Sequence, residues 1–125
     1  MTVRRALAVP ALLLALVLGL AACAEDPAPA DAAPVAAGTV VLDVRTPGEF
    51  AEGHLDGAVN IDVQAPDFAT RAGELPTDAP IVVYCRSGNR SAAAVAVLRD
   101  LGFTDLTDAG AMPDAAASLG LDIVR

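Results

Sequence analysis

The residues best placed to do chemistry lie in one short run, Cys85-Arg86-Ser87-Gly88-Asn89-Arg90-Ser91. The apolar stretch Ile81 to Tyr84 precedes it and a helical pattern from about Ser91 to Leu101 follows. Cys85 therefore stands at the carboxyl end of a buried strand, where open α/β sheets hold their ligands. The loop behind it runs into a helix N-terminus. Backbone N–H groups from Arg86 to Ser91 can converge there on one anion, and the helix dipole favours negative charge at that point. Gly88 lets the chain curl without a Cβ clash. Arg86 and Arg90 supply local positive charge. A cysteine in such a nest ionises below the value of about 8.5 found for a free thiol. Thiolate attack needs no adjacent base, which suits a chain whose single histidine, His54, stands 31 residues away. An inert buried cysteine is the competing reading, and the polar loop and helix that follow argue against it.

The elements needed to position this loop are legible on either side of it. Thr39–Val44 and Ile81–Tyr84 are β-branched and aliphatic runs of the kind that fill buried parallel strands. Pro47–Glu52 has Pro at a first-turn position and acids near its start, so it predicts a short helix ended by Gly53. Ala58–Val63 reads as a short extended piece and Asp67–Leu75 as a helix with Pro76 beyond it. In the helix after the loop, Ala94, Val97, Leu98 and Leu101 fall on one apolar face, and Gly102 is a good terminator. Asp105–Thr107 predicts a third strand and Pro113–Leu119 a last helix. The alternation implies a small α/β domain with a parallel sheet flanked by helices. Arg45 and Glu49 are spaced to pair at the start of the first helix. Asp43, at the end of the first strand, is expected to hold loop backbone rather than act as acid or base. His54 is expected to be a satisfied structural side chain.

The remaining sequence bounds where such a domain works and what it meets. With 125 residues, there is room for one domain. Met1 to Arg5 carries two arginines, Ala6 to Leu20 is a 15-residue apolar run, and Ala21 and Ala22 are small. This is the order of a secretory signal peptide, and the run is short of the roughly 20 residues of a membrane-spanning helix. Leu20-Ala21-Ala22-Cys23 resembles the bacterial lipobox, which makes Cys23 the candidate lipidation site, carrying diacylglyceryl and palmitate-type chains that hold the protein at a membrane. The expected division is 1–22 signal peptide, 23–38 lipidated cysteine and Ala/Pro-rich tether, and 39–125 folded domain. The formal charge is −8 and there is no lysine. Losing Arg4 and Arg5 with the leader makes the mature chain more acidic still, which excludes a nucleic-acid partner. No C-x-x-C pair or His/Cys cluster is present, so no metal site is expected. With Cys23 acylated, Cys85 has no partner for a disulfide.

Two segments together resemble the rhodanese family. Asp43-Val44-Arg45 through Glu49-Phe50 to Gly53-His54-Leu55-Asp56-Gly57-Ala58-Val59-Asn60-Ile61 is similar to that family's D-V-R…E-F…G-H-I-x-G-A-x-N-I signature. Val83-Tyr84-Cys85-Arg86-Ser87-Gly88-Asn89-Arg90-Ser91 resembles its active-site loop, and Leu101-Gly102-Phe103 the L-G-F beyond. The small exported rhodaneses of the phage-shock type are the nearest in pattern. The resemblance implies a thiosulfate sulfurtransferase acting through a Cys85 persulfide, with Arg86, Ser87, Gly88, Asn89 and Arg90 binding substrate. It implies small-molecule sulfur donors and acceptors, no cofactor, and a monomer. Two departures stand out. The tether occupies the place of the family's usual first strand and helix, which are expected to be missing. After Phe103 the family's N-x-x-G-G-x-x-x-W is replaced by Asp108-Ala109-Gly110-Ala111-Met112. Four residues separate Cys85 from Arg90; related cysteine phosphatases and arsenate reductases resemble a loop one residue longer, whose wider ring suits a tetrahedral oxyanion. A membrane-tethered binding module without turnover is the non-enzymatic alternative.

Overall fold

The computed structural model describes residues 35–125. The signal peptide, Cys23 and most of the tether lie outside the described residues. Four parallel strands form the main sheet: β1 (Val40–Asp43), β3 (Val59–Asn60), β4 (Ile81–Cys85) and β5 (Leu106–Ala111), in the order β3-β1-β4-β5. A second, antiparallel pair joins β2 (His54–Leu55) to β6 (Ile123–Val124). The helices are α1 (Pro47–Glu52), α2 (Phe68–Ala72), α3 (Asn89–Asp100) and α4 (Met112–Leu119). Among the described residues no strand or helix precedes Val40, and no helix is long and apolar enough to cross a membrane.

Both faces of the sheet are covered, which is why β1 and β4 are apolar at nearly every position instead of alternating with polar residues. Alternate side chains go to opposite sides. Leu42, Val44, Ile81 and Val83 pack with Phe68, Ala94, Leu98 and Phe103 on the α2/α3 side. Val41 and Tyr84 pack with Leu55 and Ala115 on the α4 side. Each fully buried aliphatic side chain of this kind contributes roughly 1.5–3 kcal/mol. The helix α1 begins with a capping box: Thr46 Oγ1 accepts from Glu49 N at 3.2 Å, and Glu49 Oε2 accepts from Thr46 N at 3.0 Å.

The expected elements are present with shifted boundaries. The helix after the loop starts two residues early, at Asn89, because Gly88 takes a left-handed conformation (φ 95°) and turns the chain directly into it. Its buried face is Ser91, Ala94, Val95 and Leu98. Leu101, the C-cap residue at the end of the helix, is 39% exposed. The helix expected over Asp67–Leu75 is only Phe68–Ala72, ended at Gly73. The third strand extends to Ala111 in spite of its exposed polar residues, since it pairs with β4 along its length through a register shift at Val83/Tyr84.

Candidate active site

Cys85 is the last residue of β4, with no exposed surface, and pairs in register with Ala111 of β5. Its sulfur accepts the Gly88 N–H at 2.9 Å. Burial alone would push the thiol's pKa up. The Ser91 N–H and hydroxyl and the N–H groups of Gly88 and Ser87 outweigh burial, and the pKa falls below its ordinary value. In the structure the Ser91 hydroxyl donates to the Gly88 carbonyl at 2.9 Å. A hydroxyl rotates freely enough to serve the sulfur once that carries charge. The place of Gly88 in the turn is conformational rather than steric. A Cβ there would meet Gly110 Cα at 3.6 Å, an ordinary contact, but φ +95° strains any other residue.

Arg90 leaves the first turn of α3 and grips Glu49 with two bonds, Nη1 to Oε2 at 2.7 Å and Nη2 to Oε1 at 2.8 Å. This bond, against partial burial, holds the Glu49 carboxyl down at about 2, with Thr46 adding its own donors. Glu49 likewise raises the pKa of Arg90, and negative charge on Cys85 contributes in the same direction. The side chains of Arg86, Ser87 and Asn89 are exposed around the loop.

The expected Arg45–Glu49 pair does not form. Arg45 precedes the N-cap Thr46 and so is not on the helix face that the i, i+4 spacing assumes. It is buried and turns back to Asp43, with Nη2 at 2.6 Å from Oδ2 and also 2.6 Å from the Gly53 carbonyl. Asp43 accepts the Arg45 backbone N–H at 2.9 Å, as its position suggested. The Tyr84 hydroxyl accepts the Leu55 N–H at 3.0 Å, and the negative charge of Asp43 acts on it. Burial raises the Tyr84 pKa well above the usual phenol range, so the ring stays neutral. His54 is structural, stacked on Phe50 at 3.7 Å with Nδ1 2.9 Å from the Phe50 carbonyl oxygen.

Residues 28–109 match the family model described as Rhodanese-like domain. The chain belongs to that family. Thiosulfate sulfurtransferase GlpE of Pseudomonas fluorescens is 44% identical over 70 residues, 55% of this chain and 62% of the relative. The match thus spans under two thirds of GlpE's own length. A sulfurtransferase of Allochromatium vinosum is 35% identical over 85 residues, covering 68% of this chain and 78% of that protein. Among solved structures, the Rhodanese_3-like domain of the Anabaena sp. Alr3790 protein superposes with a TM-score of 0.61 at 26% identity, over 70% of this chain and 99% of that one. In this rhodanese-like domain the two signature segments are physically joined. Asp43 and Arg45 of the first meet Tyr84 of the second in the core, and Glu49 of the first holds Arg90 of the second. The Ser91 hydroxyl and the Glu49 carboxylate are the contributors that the sequence did not single out for the site. Ser91 offered a signal, as a hydroxyl in the first turn after the loop; the link from Glu49 to Arg90 spans 41 residues and had none.

Proposed function

We propose that the protein is a sulfurtransferase that carries sulfane sulfur on Cys85. The observation that carries this reading is the Cys85 sulfur at the floor of a ring of N–H donors that lowers its pKa. The thiolate attacks the outer sulfur of a donor such as thiosulfate. The S–S bond of the donor breaks, sulfite leaves with the electron pair, and a Cys85 persulfide remains. The loop N–H groups stabilise its negative charge, and Arg90, oriented by Glu49, with Arg86 at the mouth, attracts the anionic donor that the net charge of −8 would otherwise repel. Cyanide or a thiol then removes the sulfur. Four residues between Cys85 and Arg90 make a tight ring, which favours a single sulfur over a phosphate. The leader and Leu20-Ala21-Ala22-Cys23 support export and anchoring through acylated Cys23, with the domain on the extracytoplasmic side of a bacterial membrane. The sulfur names printed for the GlpE and Allochromatium relatives support the same chemistry. Intact-mass measurement of the protein after thiosulfate tests it: one added sulfur, absent in Cys85→Ser, is expected, and an unchanged wild-type mass overturns the reading.

A further inference from the structure

Asn60 ends the edge strand β3, where it pairs in register with Asp43 of β1. Its side-chain nitrogen donates to two carbonyls of the chain leaving β1, Asp43 at 3.1 Å and Arg45 at 2.9 Å. Both partners are acceptors, so the nitrogen end of the amide must face them. The two bonds are not equivalent. The Asp43 carbonyl also accepts the Ile61 N–H at 2.9 Å. The Arg45 carbonyl has Asn60 as its only partner among the described residues.

That carbonyl belongs to the same peptide group as the Thr46 N–H. The N–H donates to Glu49 Oε2 at 3.0 Å, and the same oxygen accepts Arg90 Nη1 at 2.7 Å. Asn60, the Arg45–Thr46 peptide, Glu49 and Arg90 therefore form one unbroken chain of hydrogen bonds. It runs from the edge of the sheet to the guanidinium at the start of α3. A peptide group is planar and rigid, so holding its C=O fixes the direction of its N–H. Bonds in series also polarise and strengthen one another. Without Asn60 nothing holds the Arg45 carbonyl, and the peptide is free to turn. The Thr46 N–H then leaves Glu49, and the carboxylate no longer keeps Arg90 in one place.

We propose that Asn60 is a positioning residue for Arg90, and that through Arg90 it sets how strongly the Cys85 site attracts an anionic sulfur donor. This rests on the reading of Arg90 as the donor-attracting cation. The bonds of the Asn60 amide go to backbone and not to the sulfur. Its part is to fix the frame from which Glu49 aims the guanidinium. Removing it acts on the capture of the anion, not on the breaking of the donor's S–S bond.

Alkylation of Cys85 tests this independently of sulfur transfer. Iodoacetate and iodoacetamide attack the same thiolate, one as an anion and the other neutral. The ratio of their rates cancels changes in thiol pKa and access and leaves the attraction for the anion. The Cys85 peptide of the full-length protein is followed by mass spectrometry in wild type, Asn60→Ala, Asn60→Ser, Arg90→Gln, and Asn60→Ala combined with Arg90→Gln. Asn60→Ala is expected to lower the iodoacetate-to-iodoacetamide ratio about threefold, the order of one partly exposed charge. Asn60→Ser keeps a hydroxyl donor and should fall between it and wild type. The combined variant should match Arg90→Gln alone, because the frame then has nothing to aim. In turnover with thiosulfate, Asn60→Ala should raise KM and leave kcat nearly unchanged. An unchanged ratio in Asn60→Ala, or a drop that adds in full to that of Arg90→Gln, overturns the proposal.

A second measurement leaves Asn60 in place, so it holds whether or not the Asn60 variants fold. Arg90→Gln should shift the side-chain amide signals of Asn60 in the NMR spectrum. Arg99→Gln, exposed in the last turn of α3, should not. Asn60 signals that stay still in Arg90→Gln overturn the proposal. A wild type that gains no sulfur from thiosulfate overturns the sulfurtransferase reading instead, and the alkylation ratios still decide the part given to Asn60.

Discussion

Glu49→Gln separates what the ion pair to Arg90 contributes from what the helix cap contributes. Glutamine keeps an oxygen that can accept from Thr46 N, so the capping box survives. It cannot hold a guanidinium with two charged oxygens. The wild-type carboxyl sits at about 2 in place of 4.5. At about 1.4 kcal/mol per unit, that gap caps the coupling at about 3 kcal/mol. The two side chains keep 21% and 24% of their exposure, and solvent screening reduces the realised contribution to about 1–2 kcal/mol. The sign follows from a depressed acid. The stabilisation is complete above about pH 4.5, and it is lost as the pH falls toward about 2. Urea unfolding of both proteins between about pH 7 and pH 3 is the assay. At neutral pH the variant should be weaker by about 1–2 kcal/mol, or roughly 5–10 °C in Tm for a domain this small. The two stability curves should converge as the pH drops. A difference under about 0.3 kcal/mol at neutral pH, or one that stays constant down to about pH 3, refutes the argument. The same variant leaves Arg90 unheld near Cys85, so sulfur loading from thiosulfate should slow with it.

Cys85→Ser is expected to fold normally, to gain no sulfur, and to release no thiocyanate from thiosulfate and cyanide; turnover near the wild-type rate would remove Cys85 from the chemistry. Ser91→Ala takes away a donor that lowers the Cys85 pKa, so the pH profile of alkylation should move upward and the rate near neutral pH should drop; an unmoved profile contradicts the role given to Ser91. Tyr84→Phe strands the buried Leu55 N–H and should cost about 1–3 kcal/mol in urea unfolding, with a loss under about 0.5 kcal/mol counting against the network. Cys23→Ala, expressed from the full gene, should leave the detergent phase for the aqueous one, and continued partition into detergent rules out an anchor at that residue.

The parts of this molecule visible in the sequence are those governed by neighbours along the chain. β1 and β4 show as apolar runs because both sheet faces are covered, and the Cys85 loop shows because Gly88 and the following helix are local. Contacts made across the fold were not visible. The spacing of Arg45 and Glu49 suggested a partnership that the N-cap at Thr46 prevents, and each found its real partner elsewhere: Asp43 for one, Arg90 for the other. Of the expected helix face, Ala94 and Leu98 are buried and Val97 packs against the core, while Leu101 continues the apolar period past the point where α3 ends and is exposed. The strands β2 and β6 are two residues each and pair across some 70 positions, too short for any pattern and too distant for any turn signal.

The zero exposure of Cys85 has a consequence for how sulfur is handed over. A sulfur–sulfur bond is about 2.05 Å long. In the proposed cycle, loading the enzyme therefore moves the reactive atom outward by that length while the protein stays still. The empty thiolate is shielded at the floor, and the cargo atom stands nearer the mouth than its carrier. Delivery is accomplished by the reach of one bond, so a large acceptor can collect sulfur from a cysteine that it could never itself touch.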